Sequence, residues 1–212
     1  MKLYADPITV NCRKVIAGLD LLGVRYEHIH VDYFAGEQKK PEYLEINPNA
    51  ALPALVDDDF KLSESNAILQ YAAELKGAEQ HYPREPRVRA DINRWLLWEA
   101  ATWFPSCYTF LVENVVKPLL QAEPDQAVLD RETPNWHRLA NILDKRLENQ
   151  KWLCGDGVTL ADIAVAAPMH LHPWQKLPLD AHPNLKRWIK DVEQLPCWKN
   201  SDPVPILGLK AA

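Results

Sequence analysis

Apolar residues alternate between strand period and helix period over the first 77 positions of the chain. After the short apolar opening Leu3-Tyr4, Val15, Ile16, Leu19 and Leu22 share one helical face, which predicts a helix from Asn11 to Leu22 stopped by Gly23. From Arg25 to Asp32, Tyr26, His28 and His30 alternate with Glu27, Ile29 and Val31, as a strand does. A strand, a helix and a strand in so short a stretch form a βαβ unit, and its strands are expected to be parallel. A polar loop, Phe34 to Lys40, leads to a short helix at Pro41 to Glu45, with proline in its first turn. Leu52-Pro53 then precedes the strand Ala54-Leu-Val56, where a proline marks a strand start or a cis turn. Phe60-Lys-Leu62 pairs back across Asp57-Asp58-Asp59 as an antiparallel hairpin. Ser63-Glu-Ser-Asn66 caps a last helix, from about Ala67 to Lys76, that Gly77 ends.

Beyond this point strand period disappears. Residues 78–86, rich in proline and charge, read as a linker. The pattern is then helical: a broad aromatic face from Val88 to about Asn114, a helix from Trp136 to about Gln150, and shorter pieces from Leu185 to Val192 and after Leu195-Pro196. Thr159 and Asp162 form a capping pair before the apolar run Ile163 to Ala167. The order βαβ, short helix, ββα matches a thioredoxin-like unit. The expected fold is therefore α/β plus all-α, with a thioredoxin-like domain at 1–77, a linker at 78–86 and an all-helical domain at 87–212.

Composition narrows the possible roles. With 47% hydrophobic and 25% charged residues among 212, the chain is an ordinary globular one. A formal charge of −5 argues against nucleic acid as the main partner. No run approaches the roughly 20 apolar residues that cross a bilayer, and the opening Met-Lys lacks a signal peptide's apolar core, so no membrane association and a cytoplasmic location are expected. Cys12, Cys107, Cys154 and Cys197 form no C-x-x-C, which supports neither a zinc site nor a disulfide framework. His170 and His172 would point about 200° apart on a helix and could not chelate together, so no metal site is expected.

Candidate chemistry gathers at the start of the first helix. Thr9 and Asn11 are N-capping residue types, and free N–H groups at a helix start stabilise an anion or a thiolate. Cys12 lies three residues after Thr9, the spacing of the second cysteine of a redox pair whose first thiol is missing.

Three separated motifs give the chain its resemblance to the cytosolic glutathione transferases, of the bacterial Ser/Thr type that includes theta- and nu-like members. They are Thr9-x-Asn11-Cys12-Arg13-Lys14-Val15; Asn47-Pro48 with Leu52-Pro53-Ala-Leu-Val56 and Glu64-Ser65; and Gly155-Asp-x-x-Thr159-x-Ala-Asp162. The resemblance implies a transferase in which Thr9, assisted by Asn11, stabilises the glutathione thiolate for attack on a small hydrophobic electrophile. It also implies that the backbone of Leu52, before a cis Pro53, pairs with the cysteinyl part of glutathione. Glu64 would take the γ-glutamyl ammonium and Ser65 the carboxylate. Ala50 stands where many relatives carry a polar or basic residue for the glycyl carboxylate, and Gln38 and Lys40 are expected to replace it. Trp103 and Tyr108 are expected to line the electrophile pocket. Glutathione is then a co-substrate with no other cofactor, and a homodimer is implied. Glutathione-dependent reduction of disulfides or peroxides, and a non-catalytic binding protein of the same fold, remain open alternatives.

Overall fold

The structure is a computed structural model that describes residues 1–210. The first unit, through Arg84, is built on a four-stranded sheet in the order β2-β1-β3-β4. β1 (Lys2–Ala5) is followed by α1 (Val10–Leu22) and then by β2 (Glu27–His30), parallel to β1 with Leu3 opposite His28. β2 is shorter than the predicted Arg25 to Asp32 because it is the sheet's outer strand and only Ile29 among its residues is covered. A 3-10 turn at Glu37–Lys39 and α2 (Pro41–Leu44) lead to β3 (Ala54–Asp57) and β4 (Phe60–Leu62), the expected hairpin, with Asp57 opposite Phe60. α3 (Ser65–Lys76) starts two residues earlier than predicted. It packs on α1 at Gly18, where a β-carbon would lie 2.3 Å from a Leu69 methyl, so a larger residue there would require the buried Leu69 side chain to shift. Gly23 and Gly77 end α1 and α3 in the left-handed conformation.

The second unit spans Glu85–Gln194. Glu85 caps α4 (Pro86–Trp98) by accepting the Arg87 and Val88 N–H groups at 3.1 and 2.7 Å. The long helix predicted to end near Asn114 in fact continues through α5 (Phe104–Leu111) to α6 (Lys117–Leu119). It widens into π turns at Glu99–Trp103 and Val112–Val116. Pro105 and Pro118 explain both turns. A proline has no N–H for the carbonyl four residues back, and the preceding Phe104 and Lys117 N–H groups reach five residues back, to Glu99 and Val112.

α7 (Gln126–Arg146) begins ten residues before the predicted Trp136 and carries Pro134 inside it. The Thr133 hydroxyl bonds the Leu129 carbonyl at 2.7 Å beside that proline. Asp125 provides the start that the pattern hid, capping the Ala127 N–H at 2.9 Å. α8 (Leu160–Ala166) is buried on every side. The carboxylate of Asp162 accepts from the Leu153 N–H at 2.8 Å, the Thr159 N–H at 2.9 Å, the Thr159 hydroxyl at 3.0 Å and the Trp188 indole at 3.0 Å. After a 3-10 turn at Ala167–Met169 come α9 (His172–Gln175) and α10 (Pro183–Glu193). His170 and His172 do not share the helix assumed for them: His170 lies in the turn between two short elements and His172 opens α9 against Glu193, at 2.9 Å. Trp95, Trp103, Trp136 and Trp188 fill the core of this unit.

The last two helices depart from the predicted division. α11 (Pro196–Asn200) and α12 (Val204–Leu207) belong to the first unit, together with all of Leu195–Leu209, rather than to a helical domain running from 87 to 212. The reason is side-chain chemistry on α1. The Arg13 guanidinium lies 4.3 Å from the Trp198 ring centre and donates to the Trp198 carbonyl at 3.3 Å, and Asn200 bonds Asp20 at 3.0 Å. No helix among the described residues is long and apolar enough to cross a membrane.

Candidate active site

Thr9 sits at the tip of α1 in extended conformation, as an N-cap does, but its hydroxyl does not cap the helix. It donates instead to the Asp6 carbonyl at 3.1 Å, while the Thr9 N–H bonds the same oxygen at 3.0 Å. Asp6 organises this turn. Its buried carboxylate accepts the Ile8 N–H at 3.3 Å and the Tyr33 N–H at 3.0 Å, and its own N–H reaches the Cys12 sulfur at 3.4 Å. The pattern gave no sign of this role, because a lone aspartate before a proline reads as a generic turn residue. Cys12 is buried, and desolvation, only partly offset by the hydrogen bond from Thr9, pushes its thiol up to about 12. Burial and the raised pKa both disfavour the thiolate that a nucleophile needs.

Asn11, the second residue of α1, meets the start of α3. The Ser65 hydroxyl donates to Asn11 Oδ1 at 3.4 Å and accepts from Lys14 Nζ at 3.1 Å, and Lys14 also bonds Asn66 Oδ1 at 3.4 Å. Two residues expected in the site, Asn11 and Ser65, thereby bond each other directly, and Lys14, to which no role was given, bonds the second of them. The first intrahelical bond of α3 runs from the Ile68 N–H to the Glu64 carbonyl at 2.9 Å, so the N–H groups ahead of it face out of the helix end. Glu64 is exposed and holds φ 68, ψ 109, a region that a residue with a β-carbon rarely occupies.

The Leu52-Pro53 bond is cis. Leu52 lies outside the β ladder, and its backbone makes no hydrogen bond among the described residues, which leaves it open to a peptide partner. Asn47 and Tyr43 hold the preceding residue, donating to the Ala51 carbonyl at 2.8 and 2.6 Å. Ala50 is in the left-handed region at φ 52. Of the two residues expected to replace its contact, Lys40 pairs with Glu37 at 2.8 Å in the exposed loop, and Gln38 is only 4% exposed with its amide oxygen unpaired. Lys40 also borders a cavity of about 300 Å³ whose lining includes Tyr4 and Tyr43.

The two aromatic residues assigned to an electrophile pocket separate. Trp103 has no exposed surface; it stacks on Trp98, packs against Trp136 and donates to the Val165 carbonyl at 3.0 Å, so it is a core residue and not a pocket wall. Its indole was drawn into the aromatic core that the π turn before α5 feeds. Tyr108 remains 39% exposed and stacks on Phe104 with centroids 5.2 Å apart. No group of three or more His, Cys, Asp and Glu side chains among the described residues is placed to hold a metal ion.

Comparison with known proteins places these features. The family descriptions "Glutathione S-transferase, N-terminal domain" and "Glutathione S-transferase, C-terminal domain" match residues 3–80 and 100–196. A probable glutathione S-transferase GSTF2 of Oryza sativa is 30% identical over 200 residues, which span 92% of this chain and 93% of that protein. Glutathione S-transferase I from mais, solved with an atrazine glutathione conjugate, superposes with a TM-score of 0.85 at 28% identity over 99% of both chains. A glutathione transferase from Pseudomonas putida, solved with glutathione disulfide bound, gives a TM-score of 0.84 at 25% identity over 96% of this chain and 91% of that one. The curated relatives at this level are plant proteins, so they lend no support to a bacterial theta- or nu-like subtype. On the matched domains, the relatives and the shared fold, this chain belongs to the glutathione S-transferase family.

Proposed function

We propose that this glutathione transferase binds glutathione along Leu52 and the start of α3 and activates its thiol at Thr9, for attack on a small hydrophobic electrophile. The contact between Ser65 and Asn11, 3.4 Å, carries this reading, because it draws the starts of α1 and α3 together. On this reading Ser65 and the N–H groups of α3 receive the γ-glutamyl carboxylate, Glu64 its ammonium, and Leu52 the cysteinyl backbone. Thr9 must exchange its bond to the Asp6 carbonyl for one to the sulfur, a rotation about a single side-chain torsion. A hydroxyl donating to sulfur favours thiolate over thiol. Asn11 supplies a second polar group at the same helix tip. Gln38 and Lys40 are proposed for the glycyl end, with Lys40 leaving Glu37 to do so. In the helical unit the exposed Tyr108, stacked on the half-buried Phe104, offers an aromatic surface to the electrophile. Glutathione is the co-substrate, no other cofactor enters, and the working form is a homodimer.

The test is direct. The wild-type chain should be retained on immobilised glutathione and should conjugate a chloronitrobenzene. Thr9→Ala should keep the retention but lose about tenfold or more in kcat/KM, with Thr9→Ser close to wild type. Absence of retention would remove the glutathione reading, whereas equal activity of Thr9→Ala and wild type would remove Thr9 alone. Disulfide reduction is the second reading, favoured by the glutathione disulfide bound in the Pseudomonas putida relative. Since Cys12 is buried and its thiol pushed up by desolvation, any such reaction here would run on the glutathione thiolate, and Thr9→Ala should impair hydroxyethyl disulfide reduction in parallel.

A further inference from the structure

Lys14 is an unusual residue to find in the interior of a small sheet-and-helix unit. It is 1% exposed, its aliphatic stem runs through the packing of α1, and its ammonium emerges against the Ser65 hydroxyl at 3.1 Å and the Asn66 amide oxygen at 3.4 Å. Burying an ammonium costs several kcal/mol of desolvation, and an uncharged residue of equal length would fill the same space at lower cost. The charge is therefore placed where it has something to do. Ser65 and Asn66 are the first two residues of α3, whose N-terminal N–H groups and dipole already favour an anion.

We infer that Lys14 is the cation that selects a carboxylate at the start of α3, acting from beneath the site through Ser65 and Asn66. This rests on the reading that glutathione binds there. The ligand group is the α-carboxylate of the γ-glutamyl residue. Lys14 polarises the Ser65 hydroxyl by donating to its oxygen, which strengthens that hydroxyl as a donor to the carboxylate, and it adds a fixed positive charge in a site shielded from water. Ser65 then turns its proton from Asn11 Oδ1 to the ligand. Lys14 is a positioning residue in this scheme and touches no reacting atom.

Two ligands separate this role from a structural one. Glutathione is compared with 4-aminobutyryl-Cys-Gly, which keeps the amine and the thiol but lacks the α-carboxylate, by the dissociation constant and by KM and kcat in the conjugation assay. The wild-type chain should prefer glutathione by about 30-fold, the worth of a hydrogen bond to a charged group. Lys14→Met and Lys14→Gln should cut that preference to about fivefold or less, raise KM for glutathione and leave kcat at saturation unchanged. Lys14→Arg, which keeps the charge, should keep most of the preference. If both uncharged variants weaken the two ligands equally, or if neither folds, Lys14 serves the fold alone and the proposal is overturned. If the wild-type chain binds glutathione but does not distinguish the two ligands, the carboxylate position at Ser65 is wrong, and Lys14's role goes with it.

Discussion

At the residue scale, Glu64 shows most plainly what a binding site demands of a backbone. Its φ of 68 and ψ of 109 are costly for any residue with a β-carbon, by about 1 to 3 kcal/mol, and its side chain is exposed. Glu64→Gly should therefore raise stability by about 1 kcal/mol, after glycine's own entropic cost, while weakening glutathione binding. Denaturant unfolding together with a binding titration would check both halves; a less stable variant would mean that the backbone here is unstrained. Thr9 and Asn11 were legible as a candidate site from their residue types at a helix start, whereas Leu52-Pro53 and Glu64-Ser65 entered as site residues only through the resemblance to the glutathione transferases. Lys14 and Asp6 were not legible as site residues, since a lysine on a helix and an aspartate in a turn are solvated in most sequences. Only burial of the Lys14 stem and the hydrogen bonds of Asp6 reveal them.

At the scale of elements, periodicity located the strands and most helices, but not how the helices accommodate proline. Pro134 lies inside α7, and π turns precede the proline-bearing starts of α5 and α6, at Pro105 and Pro118. A pattern of apolar positions does not distinguish a widened turn from a regular one. The capping pair at α8 was legible from Thr159 and Asp162, but its reach was not: the same carboxylate also ties down Leu153 and Trp188. Asp162→Ala would leave these buried donors without an acceptor, and each costs about 1 to 3 kcal/mol unpaired. We expect a loss of about 3 kcal/mol or more in urea unfolding, with little change in KM for glutathione, because Asp162 belongs to the helical unit's core. A loss below about 1 kcal/mol would mean that water replaces the carboxylate.

At the scale of the whole molecule, two units were legible from the change of period near residue 77, whereas the return of Leu195–Leu209 to the first unit was not. Long-range pairing such as Arg13 with Trp198 leaves no trace in local pattern. The family assignment rests on the entire chain and leaves one chemical step to be established for this member: that the tip of α1 holds sulfur as thiolate through the hydroxyl of Thr9. The pKa of the bound glutathione thiol, followed by thiolate ultraviolet absorbance in wild type and Thr9→Ala at saturating glutathione, measures that step itself. The thiol should titrate at least about one unit below the ordinary value of about 8.5 in the wild-type complex and return close to it in Thr9→Ala. Identical titration curves for the two complexes would contradict the account.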